Sequence, residues 1–98
     1  MTTAFVVAPG PITGTSIEEF TLDAPPTLEQ LQEWVGGPIE RVNLDFWPSE
    51  GGPAPCITYV NEEGKLRGLS VNHLATALWR IQVRTTDWLV GPVVVVIL

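Results

Sequence analysis

The stretch that decides the fold of this chain is Val93-Val94-Val95-Val96-Ile97-Leu98. It carries no charge and is built almost wholly of β-branched residues, so leaving it exposed would invite pairing with other chains and aggregation. We therefore expect it to lie inside a β-sheet. A second run of this type, Ala4 to Val7, is closed by Pro9-Gly10-Pro11 and predicts another interior strand, side by side with the first. Ile17 to Leu22 mixes polar and apolar residues, which predicts a half-exposed strand in a hairpin with Ala4 to Val7.

A first helix is predicted over residues 28–35. Thr27 follows two prolines and can cap the helix, with Gln30 three residues later in the capping-box position. Gly36-Gly37-Pro38 is a typical helix end. The apolar face that we expect to be buried consists of Leu28, Leu31 and Val35, bordered by Trp34.

A second helix is predicted to begin after Asn72, whose side chain can accept a hydrogen bond from the first turn. Its expected buried stripe consists of Leu74, Leu78 and Ile81. A different face, which we expect to be solvated, carries His73, Thr76, Arg80 and Arg84.

Between the helices, the segment from Ile39 to Trp47 alternates in polarity. This period of two predicts a strand with one buried side. The expected buried positions are Val42, Leu44 and Phe46, and the expected outer positions are Arg41, Asn43 and Asp45. Pro48 to Pro55 is rich in proline and glycine, which predicts an exposed loop.

A further hairpin is predicted between the loop and the second helix. Cys56 to Val60 and Lys65 to Leu69 are two short β-prone runs. They flank Asn61-Glu62-Glu63-Gly64, a connection in which Gly64 is expected to take the left-handed conformation.

The expected fold class is α+β. The chain has 98 residues, which is enough for one hydrophobic core, so we expect a single domain over residues 1–98. The predicted elements suggest a mixed or antiparallel sheet of about five to six strands with two helices.

The charge balance narrows the classes of partner. Eleven acidic and five basic side chains give a formal net charge of −6, which repels phosphate backbones and anionic lipids, so nucleic acid is a disfavoured partner. The longest apolar stretch is about half the roughly 20 residues of a membrane-spanning helix, so no membrane partner is expected. A single cysteine and no signal-like segment predict a cytoplasmic protein.

The sequence offers little for catalysis. Cys56 and His73 are the only cysteine and histidine, so thiol chemistry would have to use that pair, and a zinc site lacks ligands. The carboxylate pairs Glu18-Glu19 and Glu62-Glu63 are expected to be solvated or to point to opposite faces. No nucleotide-binding glycine motif or hydrolase elbow is present. We therefore predict that the protein is not an enzyme and uses no cofactor or metal.

Two sets of side chains are candidates for binding a partner. Trp47 and Trp88 adjoin predicted loops, where a tryptophan either borders the core or anchors a partner protein. The second set is basic and could form a patch on an otherwise acidic protein. It consists of Lys65, Arg67, Arg80 and Arg84.

From Thr27 onward the chain resembles the family called domain of unknown function thirty-eight forty-six, which occurs in bacteriophage, plasmid and actinobacterial proteins. The segments that carry the resemblance are Leu28 to Val42, Asn61 to Leu69, Asn72 to Arg80 and Asp87 to Val96. The resemblance implies no activity, cofactor or catalytic residue. It does imply an origin in a phage or mobile element, where small proteins often bind and redirect host proteins, and hence the cytosol of a bacterial host.

These observations favour a non-enzymatic interaction protein that binds a host or viral protein. The alternative is a nucleic-acid-associated accessory factor that uses the basic side chains. The sequence leaves homo-oligomerisation open.

Overall fold

The fold is α+β, as predicted. A computed structural model describes residues 1–98, with six strands and two helices. The elements are β1 (Thr2–Val7), β2 (Ile17–Leu22), α1 (Leu28–Val35), β3 (Ile39–Val42), β4 (Phe46–Trp47), β5 (Ala54–Asn61), α2 (His73–Val83) and β6 (Val93–Ile97).

The strands form one antiparallel sheet in the order β2-β1-β6-β5-β3, and β4 also pairs with β5. β6 lies between β1 and β5, and Val93 to Val96 are all buried. The predictions for this segment are therefore confirmed, because the two uncharged runs occupy adjacent interior strands. The predicted hairpin is confirmed as well, since β1 and β2 pair from Thr2 opposite Leu22 to Val7 opposite Ile17.

The helices cover opposite faces of the sheet. α1 packs on a cluster that consists of Ala4, Leu31, Val35, Val94 and Val96. The larger cluster lies on the α2 side and consists of Val7, Leu44, Trp47, Cys56, Val60, Ala75, Leu89, Val93 and Val95. Alternate residues of β6 enter the two clusters, which explains why that strand is apolar at every position.

Both helices begin at the predicted residues, but each predicted stripe contains an error. Thr27 caps α1, and the left-handed Gly36 ends it. Leu28 is 58% exposed, because it lies at the first position of the helix, before the helix crosses the sheet. Ile81 is 76% exposed, because the buried residues of α2 are Ala75 and Thr76. Thr76 was expected to be solvated but is 6% exposed, and Ile81 lies five positions after it, which places the two about 140° apart around the helix.

The predicted strand from Ile39 to Trp47 is interrupted by a β-bulge. Val42 pairs with Thr58 and Phe46 pairs with Pro55. Phe46 is four positions after Val42, but Pro55 is only three positions before Thr58, so this strand carries one extra residue. A one-residue slip moves the following side chains to the other face.

The bulge reverses the predicted orientation of the two aromatic residues that follow it. Leu44 is buried as expected, whereas Phe46 is 49% exposed and Trp47 is only 7% exposed. The prediction that Phe46 is buried was wrong. Of the two environments predicted for Trp47, the structure shows the one at the core. The carbonyl of Leu44 accepts a hydrogen bond from Thr58 Oγ1 at 2.7 Å, which satisfies that buried oxygen within the bulge.

The predicted hairpin after Cys56 does not form, because both edges of β5 are already occupied by β3 and β6. The chain instead makes consecutive turns, in which Gly64 N–H donates to Asn61 and Arg67 N–H donates to Glu63. The left-handed glycine is Gly68, with φ 66°. Gly64 is required for space, since a Cβ there would lie 2.7 Å from a methyl carbon of Val90.

Candidate binding groove

A concave surface lies beside α2, above the ends of β3 and β5. We call it the tryptophan groove, and its volume is about 500 Å³. Val60 and Val42 contribute to its lining from the sheet, while Trp79 and Trp88 line it from α2 and from the loop that follows. The remaining lining residues are Glu40, Arg41, Asn43, Asn61, Glu62, Lys65, Asp87, Leu89 and Val90.

Trp88 is held in place by charged neighbours. Lys65 Nζ lies 5.0 Å from the centroid of the Trp88 ring, within range for a cation–π interaction, and forms a salt bridge with Asp87. The backbone N–H of Trp88 donates to Asp87 Oδ1 at 2.8 Å. The hydrogen bond from Lys65 and the backbone bond from Trp88 lower the pKa of the Asp87 carboxyl. The carboxylate therefore stays ionised at a lower pH than an ordinary aspartate and keeps its bond to Lys65.

α2 fixes both tryptophan residues relative to the sheet. Trp79 Nε1 donates to Asn43 Oδ1 at 2.8 Å, so the indole is tied to the bulge. Arg80 donates from Nε to the carbonyl of Asp87 at 2.8 Å and from Nη2 to the carbonyl of Thr86 at 2.9 Å. The groove is therefore preorganised by side chains that bond across different elements.

The structure brings together only part of the predicted basic patch. Lys65 lines the groove, and Arg80 donates to the carbonyl of Asp87, which also lines it. Arg67 is not among the lining residues and donates to the carbonyl of Gly36 at 2.9 Å. Arg84 is the left-handed C-cap residue of α2, with φ 53°. Of the four basic candidates, only Lys65 is among the residues that line the groove.

The two predicted tryptophan residues have different environments. Trp88 is 46% exposed and lines the groove, as a candidate anchor should. Trp47 belongs to the core, where its ring stacks on Phe5 with centroids 6.1 Å apart. Trp79 and Asn43, which also line the groove, were not predicted as site residues. A half-buried indole usually needs a polar partner for its N–H, so a search for such a partner could have found them. Which residue pairs with Trp79, however, depends on the tertiary fold.

A second, more apolar groove of about 580 Å³ lies on the other side of α2. Phe46 and Ile81 face it together with part of the predicted exposed loop. Gln82 fixes this segment, because its side chain accepts from the backbone N–H groups of Asp45 and Phe46 and donates to the Phe46 carbonyl. Phe46, and not Trp47, is therefore the exposed aromatic residue of β4.

Cys56 does not have the environment of an activated nucleophile. It is buried, and its sulfur bonds to the Leu44 carbonyl at 3.5 Å and approaches Thr58 Oγ1 at 3.7 Å. Burial raises the pKa of the thiol, while the bond to Thr58 opposes that shift. A low pKa and solvent access are what make a cysteine reactive. His73 begins α2 with an exposed side chain, and the hydrogen bonds of Cys56 go to other residues.

Modification of Cys56 by a thiol reagent is expected to be at least about a hundredfold slower in the folded protein than in denaturant, because the reagent reaches the sulfur only through opening of the structure. Absorbance of the released chromophore from a disulfide reagent measures both rates. Rapid labelling under native conditions would contradict the buried assignment and would make thiol chemistry worth pursuing.

The fold and the groove together define a small α+β domain with an aromatic, preorganised surface groove and without a clustered set of three metal-ligand side chains. The chain belongs to the family Domain of unknown function (DUF3846), whose family model matches residues 1–98. Neither the curated proteins nor the solved structures gave a significant match. Neither helix has the length and apolarity needed to cross a membrane.

Proposed function

We propose that this chain is a non-enzymatic interaction protein, of bacteriophage or mobile-element type, that binds a host or viral protein in the bacterial cytosol through the tryptophan groove. The observation that carries the proposal is Trp88, whose half-exposed ring lines a groove while Lys65, Asp87 and Arg80 hold its surroundings. Large, rigid aromatic side chains at preorganised positions are the residues that most often dominate the energy of protein interfaces.

Charge favours a protein over a nucleic acid as the partner. The chain carries a net charge of −6, and Lys65 and Arg80 already bond to Asp87. A nucleic-acid site needs several basic groups free to contact phosphates along one surface, but Arg67 and Arg84 are not among the residues that line the groove. Because the chain is acidic, a basic or neutral protein surface is a more favourable partner than an acidic one.

Replacing Trp88 by alanine is expected to weaken partner binding by about tenfold or more, because truncation of a buried aromatic anchor commonly costs about 2–4 kcal/mol. The partner is first captured with the tagged protein from the native host cell, purified, and titrated by calorimetry. Phe46→Ala is the matched control, since Phe46 is 49% exposed and Trp88 46%, but Phe46 lies on the other groove.

Equal affinities for the wild type and Trp88→Ala would contradict the proposal, as would weakening by Phe46→Ala alone. Capture of nucleic acid, lost steeply as salt is raised, would support the accessory-factor alternative instead. Thermal melting of each variant checks that a change in affinity does not come from partial unfolding.

A further inference from the structure

β3 has an unpaired edge. It is the last strand of the sheet and pairs with β5 on one side only. Glu62 N–H donates to the carbonyl of Pro38 at 2.8 Å, which makes these two residues a hydrogen-bonded pair in the ladder. In an antiparallel ladder such pairs alternate with pairs whose N–H and C=O groups point outward. The main-chain groups of Ile39 and Arg41 therefore point away from β5, where no strand lies.

The tryptophan groove adjoins this edge. Residues 40–43 all line it, and Trp79 is tied to Asn43 at the end of the strand. Val42 packs with the core on the α2 side, so Glu40 shares that side, whereas Arg41 points to the opposite face beside Tyr59. A strand added to β3 would place alternate side chains next to Glu40 and Val42, within the groove.

A second copy of this chain suits the edge poorly. If two β3 strands pair antiparallel through their outer edges, the two copies are related by a two-fold axis normal to the sheet. Residues that lie opposite each other then share a face of the sheet. The two registers that pair three of the four residues of β3 place either Arg41 or Glu40 opposite itself, whereas registers centred on Ile39 or Val42 pair only one. Like charges directly opposite each other are destabilising, and the net charge of −6 on each copy adds repulsion.

We infer that β3 binds an extended segment of the protein partner as an additional antiparallel strand, with an apolar residue opposite Val42, an acidic residue opposite Arg41 and a basic residue opposite Glu40. Main-chain bonds to Ile39 and Arg41 give such a complex its affinity, and the alternating side chains give it specificity. The inference rests on the proposed function, because it names the segment that the bound protein presents.

The test uses a defined probe, the peptide acetyl-Thr-Val-Glu-Lys-Thr-amide, titrated to low millimolar concentration into the isotope-labelled chain and followed by NMR. We expect the amide signals of Ile39 and Arg41 to move. A peptide with its glutamate and lysine exchanged should bind about fivefold more weakly, because both charge pairs become repulsive. Arg41→Pro removes the outward N–H, which an edge strand tolerates, and should abolish the shift at Ile39, the one of the two amides that this variant keeps. Arg41→Thr is the control that keeps the N–H.

The double variant Glu40→Lys/Arg41→Glu keeps every main-chain group, and we expect it to bind the exchanged peptide more tightly than the original one. This result would test the pairing of the charged side chains independently of any folding defect in Arg41→Pro. Absence of shifts at Ile39 and Arg41, shifts that survive Arg41→Pro, or a concentration-dependent dimer that Arg41→Pro abolishes would each overturn the inference. A natural partner that still depends on Trp88 but not on β3 overturns this inference alone. A partner independent of Trp88 overturns the proposed function.

Discussion

Trp47→Ala is expected to lower the free energy of unfolding by about 3–5 kcal/mol, the usual cost of removing a large aromatic side chain from a core. Trp47 is buried with Leu44 and Cys56, and its ring stacks on Phe5. Because small domains are stable by only about 5–15 kcal/mol in total, this loss would be a large fraction of the stability. Chemical denaturation followed by circular dichroism measures it.

Phe46→Ala is the control for Trp47→Ala. The two aromatic residues are adjacent in β4, but Phe46 is half exposed beside the second groove. We expect its replacement to cost about 1 kcal/mol or less, because partly exposed side chains lose little transfer energy on truncation. A larger loss for Phe46→Ala than for Trp47→Ala would mean that the bulge does not reverse the strand as described.

Asn72→Ala is expected to destabilise the protein by about 3 kcal/mol. The side chain is fully buried, and its Nδ2 donates to the carbonyls of Val7 and Gly91, both at 3.0 Å. Its Oδ1 accepts from Ala75 N–H at 3.2 Å and caps α2. Alanine would leave buried carbonyl groups without these bonds and would remove the cap, and each loss costs about 1 kcal/mol or more. Thermal denaturation and chemical denaturation of the variant check the value.

Thr27→Ala separates capping from the bridging role of Asn72. Thr27 is an exposed cap of α1 that accepts only from Gln30 N–H, at 3.2 Å, so its replacement should cost about 1 kcal/mol. Similar losses for the two variants would show that the bonds of Asn72 to Val7 and Gly91 contribute nothing beyond the cap.

The parts of the fold that follow from local pattern were predictable. The uncharged run in β6 had to be interior, and Thr27 and Asn72 marked the helix starts. The bulge could not be predicted from local pattern, because it depends on which residues of β5 pair with this strand. The alternation of Val42, Leu44 and Phe46 looks continuous in the sequence. In the structure, the extra residue between Val42 and Phe46 moves Phe46 to the other face.

The candidate site was harder to predict, because its contacts are not local. Trp79 and Asn43 are 36 residues apart, and Lys65 and Asp87 are 22 residues apart. Residue type alone indicated Trp88 as a candidate anchor, since an aromatic beside a loop is either core or interface. The predicted hairpin through Lys65 was wrong because both edges of β5 were occupied, a fact that only the strand order reveals.

The central claim is that a partner protein docks on the tryptophan groove. The most direct test is photo-cross-linking in the native host cell, with p-benzoylphenylalanine placed either at Trp88 or, as the matched site, at Phe46. We predict that the Trp88 position forms a covalent adduct with one protein at high yield, while the Phe46 position forms none with it. An adduct with that protein from Phe46, and none from Trp88, would contradict the claim.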